Sequence, residues 1–143
     1  MTVTTHSELE TAAVGRDLAR TLSAGSVVLL HGDLGAGKTA FVRGLAEGLG
    51  APPDEVSSPT FTLAQEYRGG RVRLIHADLY RLDDPREIDD LGLDEIGLDS
   101  VLAIEWAEKL PRPPSDAIGV TITHAGETER VITIETENAK RKT

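Results

Sequence analysis

The sequence predicts one α/β domain with a mixed, partly antiparallel central sheet flanked by helices, and three observations predict it. Two short runs, Ser26-Val27-Val28-Leu29-Leu30-His31 and Val101-Leu102-Ala103-Ile104, are almost wholly apolar, as in strands buried on both faces of a parallel sheet. Two other stretches recur at helical spacing, Leu9, Ala13, Leu18 and Leu22, then Phe41, Val42, Leu45, Ala46 and Leu49. Two segments alternate apolar with polar positions about glycine turns and read as hairpins. The first joins Phe61, Leu63 and Tyr67 to Val72, Leu74 and His76 through Gly69-Gly70; the second joins Ile118–Thr123 to Val131–Ile134 around Gly126. At 143 residues there is room for one domain with one core.

Each element has its punctuation. Ser7-Glu8-Leu9-Glu10 has the form of a capping box, so the first helix starts there and is expected to run to about Thr21, with Gly25 breaking the chain before the first buried strand. Gly50-Ala51-Pro52-Pro53 ends the second helix, and Pro111, Pro113 and Pro114 mark a loop after the second buried strand. The basic end, residues 139–143, reads as a frayed tail. No internal repeat, linker or low-complexity block divides 1–143.

Composition limits the function. Hydrophobic residues make up 39% and charged residues 27%, as in ordinary soluble proteins, and the absence of cysteine excludes disulfides and thiolate metal sites. The first residues lack the basic start and apolar run of a signal peptide, and no apolar stretch is long enough to span a bilayer, so a cytoplasmic protein with no membrane role is expected. A net charge of -9 opposes direct binding to a polyphosphate backbone. Between Asp83 and Asp99 eight acidic residues stand against Arg86 alone. This segment reads either as a solvated acidic surface or as a docking face for a basic protein.

Gly32-Asp33-Leu34-Gly35-Ala36-Gly37-Lys38-Thr39 fits Gly-x4-Gly-Lys-[Ser/Thr], the P-loop pattern, between a buried strand and a helix. Such a loop wraps backbone N–H groups around a β-phosphate, which calls for glycine at positive φ, and the helix that follows points its dipole at the same anion. Lys38 can bridge β- and γ-phosphate oxygens, and the Thr39 hydroxyl can ligate magnesium. A P-loop NTPase binding ATP with Mg²⁺ is therefore expected, with Gly35, Ala36, Gly37, Lys38, Thr39 and Ala40 at the phosphates.

A P-loop also needs a strand-end carboxylate for its magnesium shell. Asp78 follows Arg73-Leu74-Ile75-His76-Ala77, and Glu105 follows the more apolar Val101–Ile104, so Glu105 is the better metal ligand and Asp78 is left to orient the attacking water or another ligand. The alternative for either one is an ordinary strand-end carboxylate. Thr60, in the turn Ser57-Ser58-Pro59-Thr60-Phe61, can reach the metal or γ-phosphate, or simply belong to the turn. Trp106 is the sole tryptophan and would sit near the nucleotide; His31 and His76 read as packed histidines rather than ligands.

Four blocks in one order carry a likeness: His31 to Thr39, Ser58-Pro59-Thr60-Phe61, His76-Ala77-Asp78-Leu79-Tyr80-Arg81-Leu82, and Glu105-Trp106. Together they resemble the TsaE family, the small ATPases of bacterial tRNA threonylcarbamoyladenosine biosynthesis, over nearly the whole chain. The resemblance implies ATP and magnesium binding, weak hydrolysis alone, and association with the TsaB–TsaD complex, which would hold the tRNA. It implies Thr39 and Glu105 as magnesium ligands, and Asp78 and Thr60 as residues needed for hydrolysis alongside Lys38. Thr11 and Arg130 match positions that contact nucleotide. Ala107 departs from relatives that have proline there.

Two other readings compete with an ATPase subunit. A small-molecule kinase needs an arginine-bearing lid, and the acidic segment stands where one would fall. A nucleotide-sensing adaptor would keep the cradle without needing turnover. GTP recognition through Asn-Lys-x-Asp is excluded, because the only asparagine is Asn138 in the tail.

Overall fold

A computed structural model describes residues 1–32, 37–52, 64–80, 82–89, 92, 97–110, 114 and 116–136, with the backbone alone at Thr136. Gly35, Ala36, Thr60 and the basic tail lie outside the described residues. The elements run β1 (Thr2–Thr5), α1 (Glu8–Ala19), β2 (Val27–Gly32), α2 (Lys38–Gly48), β3 (Ala64–Tyr67), β4 (Arg73–Asp78), α3 (Pro85–Asp89), β5 (Ser100–Glu105), β6 (Ile118–His124) and β7 (Arg130–Thr136). They form one α/β domain around a seven-stranded sheet in the order β1-β7-β6-β2-β5-β4-β3.

The sheet is mixed, as its sequence pattern predicts. β6, β2, β5 and β4 are parallel, and antiparallel partners close both sides, β7 and β1 beyond β6 and β3 beyond β4. All six residues of β5 are buried, which accounts for its unbroken apolar run. On one face Val28, Leu30, Leu74, Val101, Val120 and Ile122 pack with Phe41, Val42 and Leu45 of α2. On the other, Leu29, Ile75, Leu102 and Ile104 meet Leu79, Leu82 and Ile88.

Three expectations for α1 change. Ser7 caps the helix as expected, its Oγ accepting the Glu10 N–H at 3.1 Å, but the Glu10 carboxylate accepts the N–H of His6 at 2.7 Å, one residue upstream of the cap. The helix ends at Ala19, and the next turn tightens, with the N–H groups of Thr21 and Leu22 reaching Leu18 and Ala19. Leu9 is 83% exposed, so it does not belong to the core stripe. The buried stripe is Thr11, Ala12, Gly15 and Ala19, all small, because α1 and α2 pack backbone to backbone. A Cβ on Gly44 would stand 1.9 Å from the Ala12 carbonyl oxygen.

β1 was not anticipated. Thr2-Val3-Thr4-Thr5 is short, and it becomes a strand by pairing with Arg130–Thr133 of β7. α3 within the acidic segment is a second unanticipated element.

Candidate functional site

The parallel strands bring the chemistry-bearing residues to one edge. β2 ends at Gly32, β4 at Asp78 and β5 at Glu105, and register places Asp78 beside Glu105 and Glu105 beside Leu30. Ligands of open α/β sheets bind at this carboxyl edge. α2 begins there with Gly37 as its N-cap, at φ 101 and ψ 16, a left-handed conformation that glycine adopts without strain. Glycine has no side chain to cap the helix, and no side-chain cap bond is made at this position.

Lys38, the first residue of α2, is 9% exposed. Its Nζ lies 3.6 Å from Glu105 Oε1 and 3.5 Å from the Gly32 carbonyl oxygen, both at the outer limit of hydrogen bonding. It also sits 5.7 Å from the centre of the Trp106 ring. Trp106 has φ 61, the one positive value at a non-glycine among the described residues, and this turn directly after β5 sets the indole against the ammonium. Tyr80 leans on the indole at 5.0 Å between ring centres. Lys109 lies under both rings and donates to the Tyr80 and Leu82 carbonyls.

Glu105 is held from two sides. His76 Nε2 lies 2.6 Å from Oε2, and Lys38 is near Oε1. Burial acts to raise the carboxyl pKa, but the hydrogen bond and charge of His76, with the charge of Lys38, outweigh it and hold Glu105 below the ordinary glutamate value. Asp78, half-buried beside it, accepts the Tyr80 N–H through Oδ1 at 2.9 Å.

The other expected site residues divide. Thr11 is buried, its hydroxyl 2.8 Å from that of Thr5, and its methyl would lie 3.7 Å from a Cβ on Gly37, so it stands beside the start of α2. Thr39 is exposed on the first turn of α2, and Ala40 is buried against the core. Arg130 pairs in register with Thr5, which places it at the same end of the sheet, but its guanidinium donates to the Gly126, Glu127 and Glu129 carbonyls of its own hairpin turn. His31 is not a packed histidine. It stands at the last positions of β2, its side chain 33% exposed, with Nδ1 3.3 Å from Glu108 Oε2. His76 is packed as expected, yet it also bonds Glu105, a contact that only strand register reveals.

Among the described residues no three His, Cys, Asp or Glu side chains cluster to hold a metal. The arrangement nonetheless fits magnesium delivered with a nucleotide. That ion takes hard oxygens at few protein positions and keeps water and phosphate for the rest, and Thr39 and Glu105 offer a hydroxyl and an ionised carboxylate. Lys38 fits the phosphates, since an ammonium has three hydrogens to place and both described oxygen partners are distant.

Comparison with known proteins gives the family. The family model for threonylcarbamoyl adenosine biosynthesis protein TsaE matches residues 5–132. The chain belongs to the TsaE family. It is 48% identical over 126 residues to the tRNA threonylcarbamoyladenosine biosynthesis protein TsaE of Nostoc sp., covering 84% of this chain and 76% of that one. The TsaE protein of Treponema pallidum is 40% identical over 136 residues, 94% of this chain and 99% of its own. The crystal structure of Bacillus subtilis YdiB superposes with a TM-score of 0.76 at 35% identity, covering 99% of this chain and 88% of that one. The TsaE match takes in every site block read from the sequence, from Thr11 to Arg130.

Proposed function

We propose that this chain is an ATP-binding, magnesium-dependent subunit of tRNA threonylcarbamoyladenosine modification, hydrolysing ATP weakly alone and acting on the TsaB–TsaD complex as a gating or reset step. Membership of the TsaE family supports the pathway. The observation that carries the ATP assignment is the buried Lys38, set at the start of α2 with its ammonium near one carboxylate among the described residues, Glu105.

In this reading Lys38 binds the polyphosphate as a point charge, together with N–H groups of Gly35, Ala36, Gly37, Thr39 and Ala40. Thr39 and Glu105 hold magnesium, which when bound offsets charge on the phosphate oxygens. Asp78, fixed at the sheet edge by the Tyr80 N–H, orients a water, and Thr60 assists it. Trp106, with Tyr80 leaning on its ring, covers the ammonium and limits its contact with bulk water, strengthening the electrostatics beneath it. Thr11 and Arg130 border the nucleotide.

The net charge of -9 favours contact with tRNA only through the partner complex, in a cytoplasmic setting. Among the described residues no helix is long and apolar enough to cross a membrane. Loss of the γ-phosphate changes the contacts of a P-loop switch, which is how it biases a partner.

The test is multiple-turnover tRNA modification by TsaB–TsaD with and without this chain, ATP hydrolysis being followed in parallel. The complex should stimulate hydrolysis, and modification should continue past the first turnover only with the chain present. Equal modification without it contradicts the proposal. An adaptor that binds ATP without needing turnover is favoured by one observation, the use of Asp78 to shape its own turn. Asp78→Ala separates the two readings.

A further inference from the structure

His76 is 1% exposed on β4 and sits diagonally across from Glu105, since register pairs His76 with Ala103 and Asp78 with Glu105. Its Nε2 is 2.6 Å from Glu105 Oε2, whereas Lys38 approaches the other oxygen, Oε1. An ionised carboxylate only accepts, so the hydrogen of this contact is on Nε2. The two oxygens are thereby sorted. Oε2 is tied to a ring that close packing keeps from turning, and Oε1 faces the start of α2.

Packing alone is a weak reason for a histidine here. Its Nδ1 is buried with no hydrogen-bond partner among the described residues, a cost that an apolar side chain of similar volume would not carry. What distinguishes histidine at this position is the bond that Nε2 makes.

Resting on the magnesium–nucleotide reading above, we propose that His76 is the positioning residue for Glu105, anchoring Oε2 so that Oε1 is presented to magnesium. Groups that orient a metal ligand in this way typically change metal affinity by about 10- to 100-fold when removed.

The experiment measures binding of a fluorescent ATP analogue to the full chain, in EDTA and across a magnesium chloride titration. His76→Leu and His76→Asn lack a donor at the reach of Nε2, and they should raise the magnesium midpoint by about tenfold while leaving the EDTA affinity unchanged. His76→Gln places an amide nitrogen near the Nε2 position and should stay within about twofold of the unsubstituted chain. If His76→Leu fails to fold, the contrast between Asn and Gln decides. A purely structural role would lower the melting temperature of both without separating their magnesium midpoints, and equal midpoints overturn the proposal. If the unsubstituted chain binds the analogue with no response to magnesium, the reading of the site falls and this proposal with it. If it responds and all variants share its midpoint, only the role of His76 falls.

Discussion

Lys38 and Glu105 form an ion pair between the start of α2 and the end of β5, Nζ to Oε1 3.6 Å, with side chains 9% and 10% exposed. The pair is asymmetric. Glu105 also accepts from His76, whereas Glu105 is the only carboxylate paired with Lys38 among the described residues.

That asymmetry ranks two substitutions. Glu105→Ala removes the acceptor of a buried imidazole and the carboxylate of a buried ammonium, which keeps only the distant Gly32 carbonyl among the described residues, and it should destabilise by about 1–3 kcal/mol. Lys38→Ala leaves Glu105 bonded to His76 and should cost less. Thermal melts without nucleotide measure both, and an equal or reversed order would mean that the His76 bond carries nothing.

The pH dependence follows from the same carboxylate. The folded pKa of Glu105 lies below the value of 4.5 for an unperturbed glutamate, so the unfolded chain takes up its proton first as pH falls. The stabilisation from Glu105 is therefore fully present above about pH 4.5 and is lost as pH drops through the lower folded value. The stability gap between the native chain and Glu105→Gln should be constant above that point and narrow below it. Denaturant unfolding from pH 7 to pH 3 tests this, and a gap that widens on acidification contradicts it.

Gly44→Ala should be destabilising although alanine favours helix. Its Cβ would lie 1.9 Å from the Ala12 carbonyl oxygen, an overlap with backbone that only separation of α1 from α2 can relieve. Overpacking of this kind costs about 1–3 kcal/mol, several degrees of melting temperature for a domain of this size. An unchanged or raised melting temperature would show that the helices do not pack this closely.

Much of this architecture was legible because its signals are local. The apolar run Val101–Ile104 announces a strand buried on both faces, Gly69-Gly70 announces the turn between β3 and β4, and the apolar run before Gly32 and the helical spacing after Lys38 announce β2 and α2. What was missed depends on partners distant in the chain. Thr2–Thr5 is a strand only because β7 offers it an edge, and Leu9 has helical spacing but faces solvent because α1 buries its small residues instead. The bond from His76 to Glu105 spans neighbouring strands two positions out of register, which no reading of spacing along one strand can detect.

Asp78→Ala should abolish partner-stimulated hydrolysis while leaving ATP affinity within about threefold, because Asp78 is assigned to water rather than to phosphate. Parallel binding and turnover assays measure the split. Full support of tRNA modification by this variant would favour the adaptor reading.

The most direct measurement is the ATP dissociation constant, with magnesium, of the native chain and of Lys38→Ala, each confirmed folded by its melt. A charge-assisted contact to phosphate removed from a buried site should weaken binding by about tenfold or more. An unchanged constant would contradict the assignment of Gly32 to Thr39 as the phosphate cradle.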